Sequence, residues 1–204
     1  SCIIKVMFED KIYIKVVEEH YKEKYPIEIV EMMESLSLFP VLKKDGIPKL
    51  NKQGEEIYKT SWKMSPNFDP IQYPNEGTYT YYFVNKFTKE IVNIGETQNA
   101  NSRPNNYNCV SFDKNGKPLG QKSNGTTNIG KNILMVKGLK AGNDYKLMLV
   151  KFGECVNQFG YRMIAPSQEK TMAMLYTKAT GKKKTLWNGN LKELVQEYYD
   201  VMEY

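Results

Sequence analysis

The spacing of apolar residues predicts helices in the first third of the chain. Residues 10–24 and residues 27–38 each have apolar positions on one helical face, and Tyr25-Pro26 separates the two segments. Asn51 is placed to cap a third helix over residues 51–62. Residues 39–50, which lie between the second and third predicted helices, predict a short hairpin. Residues 1–75 are therefore predicted to be mainly helical, either as a cap over a central core or as a winged-helix-like DNA-binding module.

The remaining residues predict a different organisation. Residues 65–76 contain three prolines, which is typical of a linker. Two strands joined by a polar turn follow, and residues 126–138 and 145–152 are predicted as further strands. A helix is predicted over residues 172–178, ended by Gly181, and an amphipathic helix over residues 191–204. The predicted class is α+β: a small mixed or antiparallel central sheet flanked by helices, with a core over residues 76–204 after the N-terminal region 1–75.

Composition indicates a globular protein outside the membrane. The chain has 204 residues, of which 41% are hydrophobic, so a sizeable core is expected. The longest apolar runs are too short to cross a bilayer, and we expect neither a membrane partner nor a secretory signal. The three cysteines are odd in number and widely spaced, which favours a reducing, cytoplasmic setting and argues against structural zinc.

Positive charge is concentrated in the predicted core. Residues 1–75 contain 11 basic and 12 acidic side chains, whereas residues 76–204 contain 18 and 11. A polyanionic partner that contacts the second segment is one interpretation, and charge that serves only solubility is the other.

The residues that suggest chemistry lie between Gly77 and Tyr107. A tyrosine-rich strand leads into a second strand that ends in Asn93-Ile94-Gly95, and an isolated arginine, Arg103, comes shortly before Tyr107. Such a layout places a phenol and a guanidinium near one another, and this pair suits a phosphodiester substrate.

The order of these motifs resembles the GIY-YIG nuclease superfamily, and most closely its small type II restriction endonucleases. The first motif would run from Gly77 through Tyr81, and the second would be Asn93-Ile94-Gly95. The helical arginine would be Arg103, followed by Tyr107. The metal-binding glutamate would be Glu169 and the late asparagine Asn188. The likeness covers about residues 77–190.

Two positions depart from the family pattern. The first motif contains three tyrosines that could be the catalytic one: Tyr79, Tyr81 and Tyr82. Alignment with the family motif favours Tyr81, and strand alternation puts Tyr79 on the same face of the strand as Tyr81 and Tyr82 on the opposite face. Asn93 stands where the family usually has Tyr. If a cation is needed at that place, Lys89 or Lys131 would have to supply it.

The resemblance implies a mechanism with Mg²⁺, or Mn²⁺ as a substitute, and no nucleotide cofactor. Tyr81 would take a proton from the attacking water. A free phenol ionises near pH 10, so a nearby cation such as Arg103 would have to favour its ionised form. Glu169 would bind the metal, which stabilises the leaving 3′ oxygen. Tyr107, Asn188 and Asn93 would position the reacting groups.

Further residues are candidates for substrate binding. They are Tyr79, Lys89, Lys131, Asn188, Lys182 and Lys183. Each residue type also has an ordinary structural role: strand tyrosines pack in cores, a carboxylate near a helix start interacts with the helix dipole, and a lysine run after a helix faces water. The single histidine, His20, argues against Ser-His or Cys-His catalysis.

The function predicted first is a Mg²⁺-dependent, sequence-specific endonuclease of double-stranded DNA. Its products would carry 5′-phosphate and 3′-hydroxyl ends, and a homodimer would suit a palindromic site. One alternative is a non-catalytic DNA-binding regulator on a degenerate nuclease scaffold. Another is a repair or mobile-element nuclease that acts on branched or modified DNA.

Overall fold

Helices and strands both contribute substantially to the fold. The computed structural model describes residues 8–120 and 126–195. Its helices are α1 (Glu9–Tyr21), α2 (Thr126–Lys140), α3 (Glu169–Thr180) and the one-turn α4 (Leu191–Leu194). Its strands are β1 (Ile27–Pro40), β2 (Tyr58–Met64), β3 (Tyr79–Asn85), β4 (Ile91–Thr97), β5 (Tyr145–Phe152), β6 (Cys155–Val156) and β7 (Arg162–Met163). Short 3-10 turns lie at Pro70–Gln72, Arg103–Tyr107 and Leu186–Asn188.

Five strands form an antiparallel sheet in the order β2-β1-β5-β3-β4, and β6 pairs with β7 separately. Strand β3 lies between β4 and β5, so its backbone is bonded on both sides and all seven of its residues are buried. Strand β4 is at the edge of the sheet. The predicted α+β class is confirmed.

The described chain divides into two compact units. The first contains residues 8–34, 64–103 and 145–189, and the second contains residues 35–63, 104–120, 126–144 and 190–195. Both units draw on early and late segments, and the predicted division into regions 1–75 and 76–204 stays a prediction.

In the first unit, α1 and α3 cover one face of the sheet. Tyr13, Val17 and Tyr21 are four residues apart, which places them on one side of α1, and all three are buried against Tyr82 and the other apolar residues of that face. The Tyr13 hydroxyl donates to the carbonyl of Met172 in α3 at 2.8 Å. Burial of this tyrosine-rich layer fixes the two helices on the sheet.

In the second unit, a buried amide joins α2 to two extended segments. Asn132 accepts a hydrogen bond from the Val110 N–H at 3.0 Å and donates to the Thr60 hydroxyl at 2.9 Å. Phe112 pairs with Tyr58 by two backbone hydrogen bonds. The unit is therefore held by polar as well as apolar contacts.

Three of the predicted elements are wrong. Residues 27–38 are predicted to be helical and lie instead in strand β1, where Ile27 and Ile29 alternate with Glu28 as a strand requires. An irregularity in the pairing between Glu31 and Met33 shifts the later apolar residues into an apparent helical spacing. Most of the early region is therefore not helical in the described residues.

Residues 51–62 form a turn and most of β2. The Asn51 side chain accepts hydrogen bonds from the N–H groups of Gln53 and Glu55, as a helix cap would, but Gly54 has φ 78° and reverses the chain.

Residues 126–138 are helical, within α2. Short apolar runs do not distinguish a buried helix from a strand, and here α2 buries Ile129, Ile133 and Val136 at helical spacing.

Other predicted elements are confirmed. Residues 10–24 largely form α1, residues 145–152 form β5, and the hairpin within residues 39–50 turns at Gly46. Helix α3 ends at Gly181, which has φ 74°. Of the predicted terminal helix, α4 is observed, and residues 196–204 lie outside the described residues.

Candidate active site

Tyr81 and Gly95 face each other across the pair β3–β4. They are register partners, and the Tyr81 hydroxyl lies directly over the Gly95 backbone, where any Cβ would overlap it. Glycine at residue 95 therefore gives the phenol its position, and this is the close approach for which the lack of a side chain is needed.

Arg103 approaches the same phenol from the segment that follows β4. Its Nε–H donates to the Tyr81 hydroxyl at 2.8 Å, and its guanidinium carbon lies 5.3 Å from the centre of the Tyr81 ring. A turn at Asn99 directs the chain back, since the Arg103 N–H donates to the Asn99 carbonyl. A guanidinium at this distance stabilises negative charge that develops on the phenol oxygen.

The other two tyrosines of β3 have different surroundings. Tyr79 donates its hydroxyl to the Pro74 carbonyl at 2.7 Å, and burial raises its pKa. Tyr82 faces the opposite side of the sheet, against Tyr13, where burial and then the charge of Asp10 raise its pKa. Of these tyrosines, Tyr81 is therefore the one joined to the arginine.

Asn93 is buried on β4, two residues before Gly95 and opposite Phe83. Neither atom of its side-chain amide has a hydrogen-bond partner among the described residues. A buried polar atom without a partner costs about 1–3 kcal/mol, so this amide calls for an explanation beyond packing.

Asn188 binds the outer edge of β4. Its Oδ1 accepts from the Ile94 N–H at 2.8 Å, and its Nδ2 donates to the Ile94 carbonyl at 3.0 Å. The Thr185 hydroxyl donates to the same Oδ1. The amide thus satisfies the backbone of the residue next to Gly95, and the predicted contact with substrate stays a prediction.

Glu169 lies in the first turn of α3 and is half-buried. It lines a cavity of about 340 Å³ whose wall includes Ile94 and Asn188. Lys183 and Lys184 line the same cavity, and both are exposed. Glu169 and these two lysines therefore line one cavity beside the strand that carries Gly95.

Lys182 has different surroundings from Lys183. Its ammonium is 2.9 Å from a Glu9 carboxylate oxygen and 3.4 Å from one of Glu90. Burial lowers the pKa of Lys182, but the hydrogen bonds and negative charges of the two glutamates outweigh that effect, and the net pKa is raised. Glu9 is 3% exposed, so this ion pair neutralises a buried charge. The predicted role of Lys182 in substrate binding stays a prediction.

Three further predicted site residues are Lys89, Lys131 and Tyr107. Lys89 is in the β3–β4 turn with φ 63°, and its ammonium donates to the Lys86 carbonyl at 2.7 Å. Lys131 and Tyr107 belong to the second unit, where both are buried. Their predicted roles stay predictions.

The sequence reasoning missed Glu96. This exposed carboxylate follows Gly95 directly and accepts a hydrogen bond from the Ser167 hydroxyl. It lines a second cavity, of about 700 Å³, together with Tyr79 and Glu76.

Among the described residues, no group of three or more His, Cys, Asp or Glu side chains is arranged to hold a metal ion. No helix in the described ranges is long and apolar enough to cross a membrane. Comparison of the chain with protein-family models, with curated proteins and with solved structures finds no match.

Proposed function

We propose that the protein is a Mg²⁺-dependent, sequence-specific endonuclease of double-stranded DNA, of the GIY-YIG type, that acts as a homodimer. The observation that carries the proposal is the hydrogen bond from Arg103 to the hydroxyl of Tyr81 above Gly95. The three residues come from two strands and a following turn, and they are the tyrosine, glycine and arginine that the resemblance requires.

The pair can perform two parts of phosphodiester hydrolysis. Since Arg103 donates to the Tyr81 oxygen, that oxygen acts as an acceptor and is polarised toward the ionised form that a general base needs. An arginine carries five N–H donors in a planar fork, so the same guanidinium can bond a phosphate oxygen as well as a phenol. One cation would then serve the base and the substrate together.

Glu169 fits a metal that is held mainly by the substrate. Mg²⁺ commonly binds one or two carboxylates together with substrate phosphates and water. A single half-buried carboxylate, in a cavity that Lys183 and Lys184 also line, is a weak site for a cation alone and a better one once a phosphate has entered. The ion would neutralise charge on the leaving 3′ oxygen, which gives 5′-phosphate and 3′-hydroxyl ends.

Plasmid cleavage tests the proposal. We expect discrete fragments with Mg²⁺ and none with a chelator, and a loss of roughly 10²–10⁴-fold in rate for Tyr81→Phe and for Glu169→Ala. Tyr161→Phe is the matched control, because Tyr161 is 70% exposed and lies outside the cavity. Unchanged fragments from Glu169→Ala would defeat the metal assignment, and wild-type rates from Tyr81→Phe would defeat the base assignment.

The second candidate function is a non-catalytic DNA-binding regulator. The neutral, unpartnered amide of Asn93 favours it, because the related position in the family usually supplies an ionisable tyrosine. DNA binding that weakens with salt, without cleavage of any DNA in the presence of Mg²⁺ or Mn²⁺, would select this reading.

A further inference from the structure

Exposed apolar side chains of the first unit are concentrated in one hairpin. Strands β6 and β7 pair with each other and with no other strand in the described ranges. Within residues 156–164, large apolar side chains between 49% and 72% exposed are Val156, Phe159, Tyr161, Met163 and Ile164. An exposed apolar patch of this density marks an interaction surface in a globular protein.

The hairpin has a fixed shape. The side-chain oxygen of Asn157 accepts hydrogen bonds from the N–H groups of Phe159 and Tyr161 at 2.9 and 3.0 Å, which orders the turn. At the base of the hairpin, the Gly153 N–H donates to the Pro26 carbonyl at 2.7 Å. A segment that is ordered before binding loses little conformational freedom when it binds, so this surface is suited to a stable contact.

Strand alternation divides the side chains of the hairpin between two faces. Val156 is the register partner of Arg162, so both lie on one face, and Ile164 continues that face two residues later. Tyr161 and Met163 lie on the opposite face. Valine and isoleucine have no polar atom in their side chains, whereas a tyrosine has a hydroxyl that water can solvate. The face of Val156 and Ile164 therefore gains more when a partner covers it.

The charges of this face balance. Between residues 154 and 164, the charged side chains are Glu154 and Arg162. They lie 3.8 Å apart and are 63% and 83% exposed respectively. A polyanion or an anionic membrane finds no net positive charge here. A second copy of the chain brings the same two charges, so under two-fold symmetry each guanidinium can bond to the carboxylate of the other copy.

The area of this face matches the need of a dimer. Phe159 is at the turn, 72% exposed, and extends the face. We define the hairpin surface as the five side chains Glu154, Val156, Phe159, Arg162 and Ile164. At their observed exposures they offer roughly 600 Å² per copy, so a symmetric contact buries about 1,200 Å², which exceeds the ~1,000 Å² expected of a specific interface.

We infer that the hairpin surface joins two copies of the chain in a symmetric homodimer. The apolar side chains of Val156, Phe159 and Ile164 pack against the same residues of the second copy, and the charged pairs border this apolar contact. The inference deepens the proposed function, on whose homodimer it rests, because it names the surface through which the two copies meet.

Sedimentation equilibrium without DNA and without divalent metal tests this surface. The variant Phe159→Ser with Ile164→Ser is compared with Phe87→Ser with Ile71→Ser, a control with the same residue types, which are 68% and 87% exposed. We expect a dissociation constant in the micromolar range or tighter for wild type, at least about a hundredfold higher for the hairpin variant, and near that of wild type for the control. A monomeric wild type, or equal constants for the two variants, would overturn the inference.

Two further measurements check the assignment of the face. Tyr161→Ser with Met163→Ser changes the opposite face of the same hairpin, and this variant should dimerise as wild type does; a loss equal to that of the hairpin variant would overturn the assignment. In wild type, hydrogen exchange of the amides in residues 155–163 should slow as the protein concentration is raised. Exchange that is independent of concentration would count against the interface whatever the stability of the variants.

The outcomes separate this inference from the proposed nuclease. A dimer that depends on the hairpin surface, in a protein that never cleaves DNA, would keep the inference and refute the nuclease. A protein that stays monomeric and still cleaves both strands of DNA would refute the inference and keep the nuclease.

Discussion

Substitution of Gly95 by alanine tests the geometry of the candidate site most directly. The new Cβ would overlap the hydroxyl and the ring carbon that bears it in Tyr81, and it would lie 2.9 Å from Cε2. Carbon atoms in good contact are about 3.5–4.0 Å apart, so the ring has to move. Both residues sit in a bonded strand pair, and the shift takes the phenol away from Arg103.

The expected cost follows from these contacts. Overpacking of a buried site costs about 1–3 kcal/mol, and loss of a hydrogen bond from a charged donor costs about 1.5–3 kcal/mol. Because the structure relaxes in part, we expect the unfolding free energy to fall by about 2–4 kcal/mol. If Tyr81 is the general base, cleavage should fall by roughly 10²–10⁴-fold at a temperature where the variant is fully folded.

Gly77→Ala is the matched control. A Cβ at Gly77 would lie 2.5 Å from the Tyr79 ring and 2.7 Å from its hydroxyl, which is a similar clash against a neighbouring tyrosine. Its loss of stability should be comparable, and its cleavage should fall less than that of Gly95→Ala because the Tyr79 hydroxyl bonds to the Pro74 carbonyl. Stability is measured by urea unfolding and activity by initial rates on plasmid.

The double variant Gly95→Ala with Tyr81→Phe completes the cycle. Removal of the hydroxyl relieves the shortest overlap, so part of the stability should return while cleavage does not. If Gly95→Ala cleaves DNA as fast as Gly77→Ala, the reasoning that the glycine positions a catalytic phenol is refuted.

Three further results are expected. Lys182→Met should cost about 1–3 kcal/mol because it leaves Glu9 buried and unpaired. Since the pKa of Lys182 is raised, the stability that the lysine supplies is complete below its ordinary value of 10.5 and is lost as the pH rises through the raised pKa, so melts of wild type and variant should converge only above that raised pKa. Asn188→Ala should cost about 1–3 kcal/mol by leaving the Ile94 backbone unsatisfied, whereas wild-type stability would show that water replaces the amide. Asn93→Leu should raise the melting temperature by roughly 2–6 °C if the buried amide has no partner in solution, and a lower melting temperature would indicate a bound water or ligand at that amide.

The strand pair at the candidate site could be predicted from sequence because its signals are local. Tyr81 and Gly95 stand in two short apolar runs joined by a polar turn, and alternation assigns their faces. The contact with Arg103 depends on the turn at Asn99, which the motif order indicates but does not determine.

Other features depend on residues distant in sequence. Lys182 and Glu9 form an ion pair although they are 173 residues apart in sequence. The basic run after a helix therefore does not indicate a buried ion pair. Strand β1 is predicted as a helix because its bulge gives the apolar residues a helical spacing. Helix α2 is predicted as a strand because a short apolar run does not distinguish a buried helix from a strand. Tertiary packing decides such segments.

The amide of Asn188 has a consequence for self-association. An edge strand offers backbone groups to which a strand of a second molecule can add, and β4 is such an edge. At Ile94 these groups are already bonded to Asn188. A second copy of the chain therefore cannot pair with the backbone of Ile94 while Asn188 is bonded there.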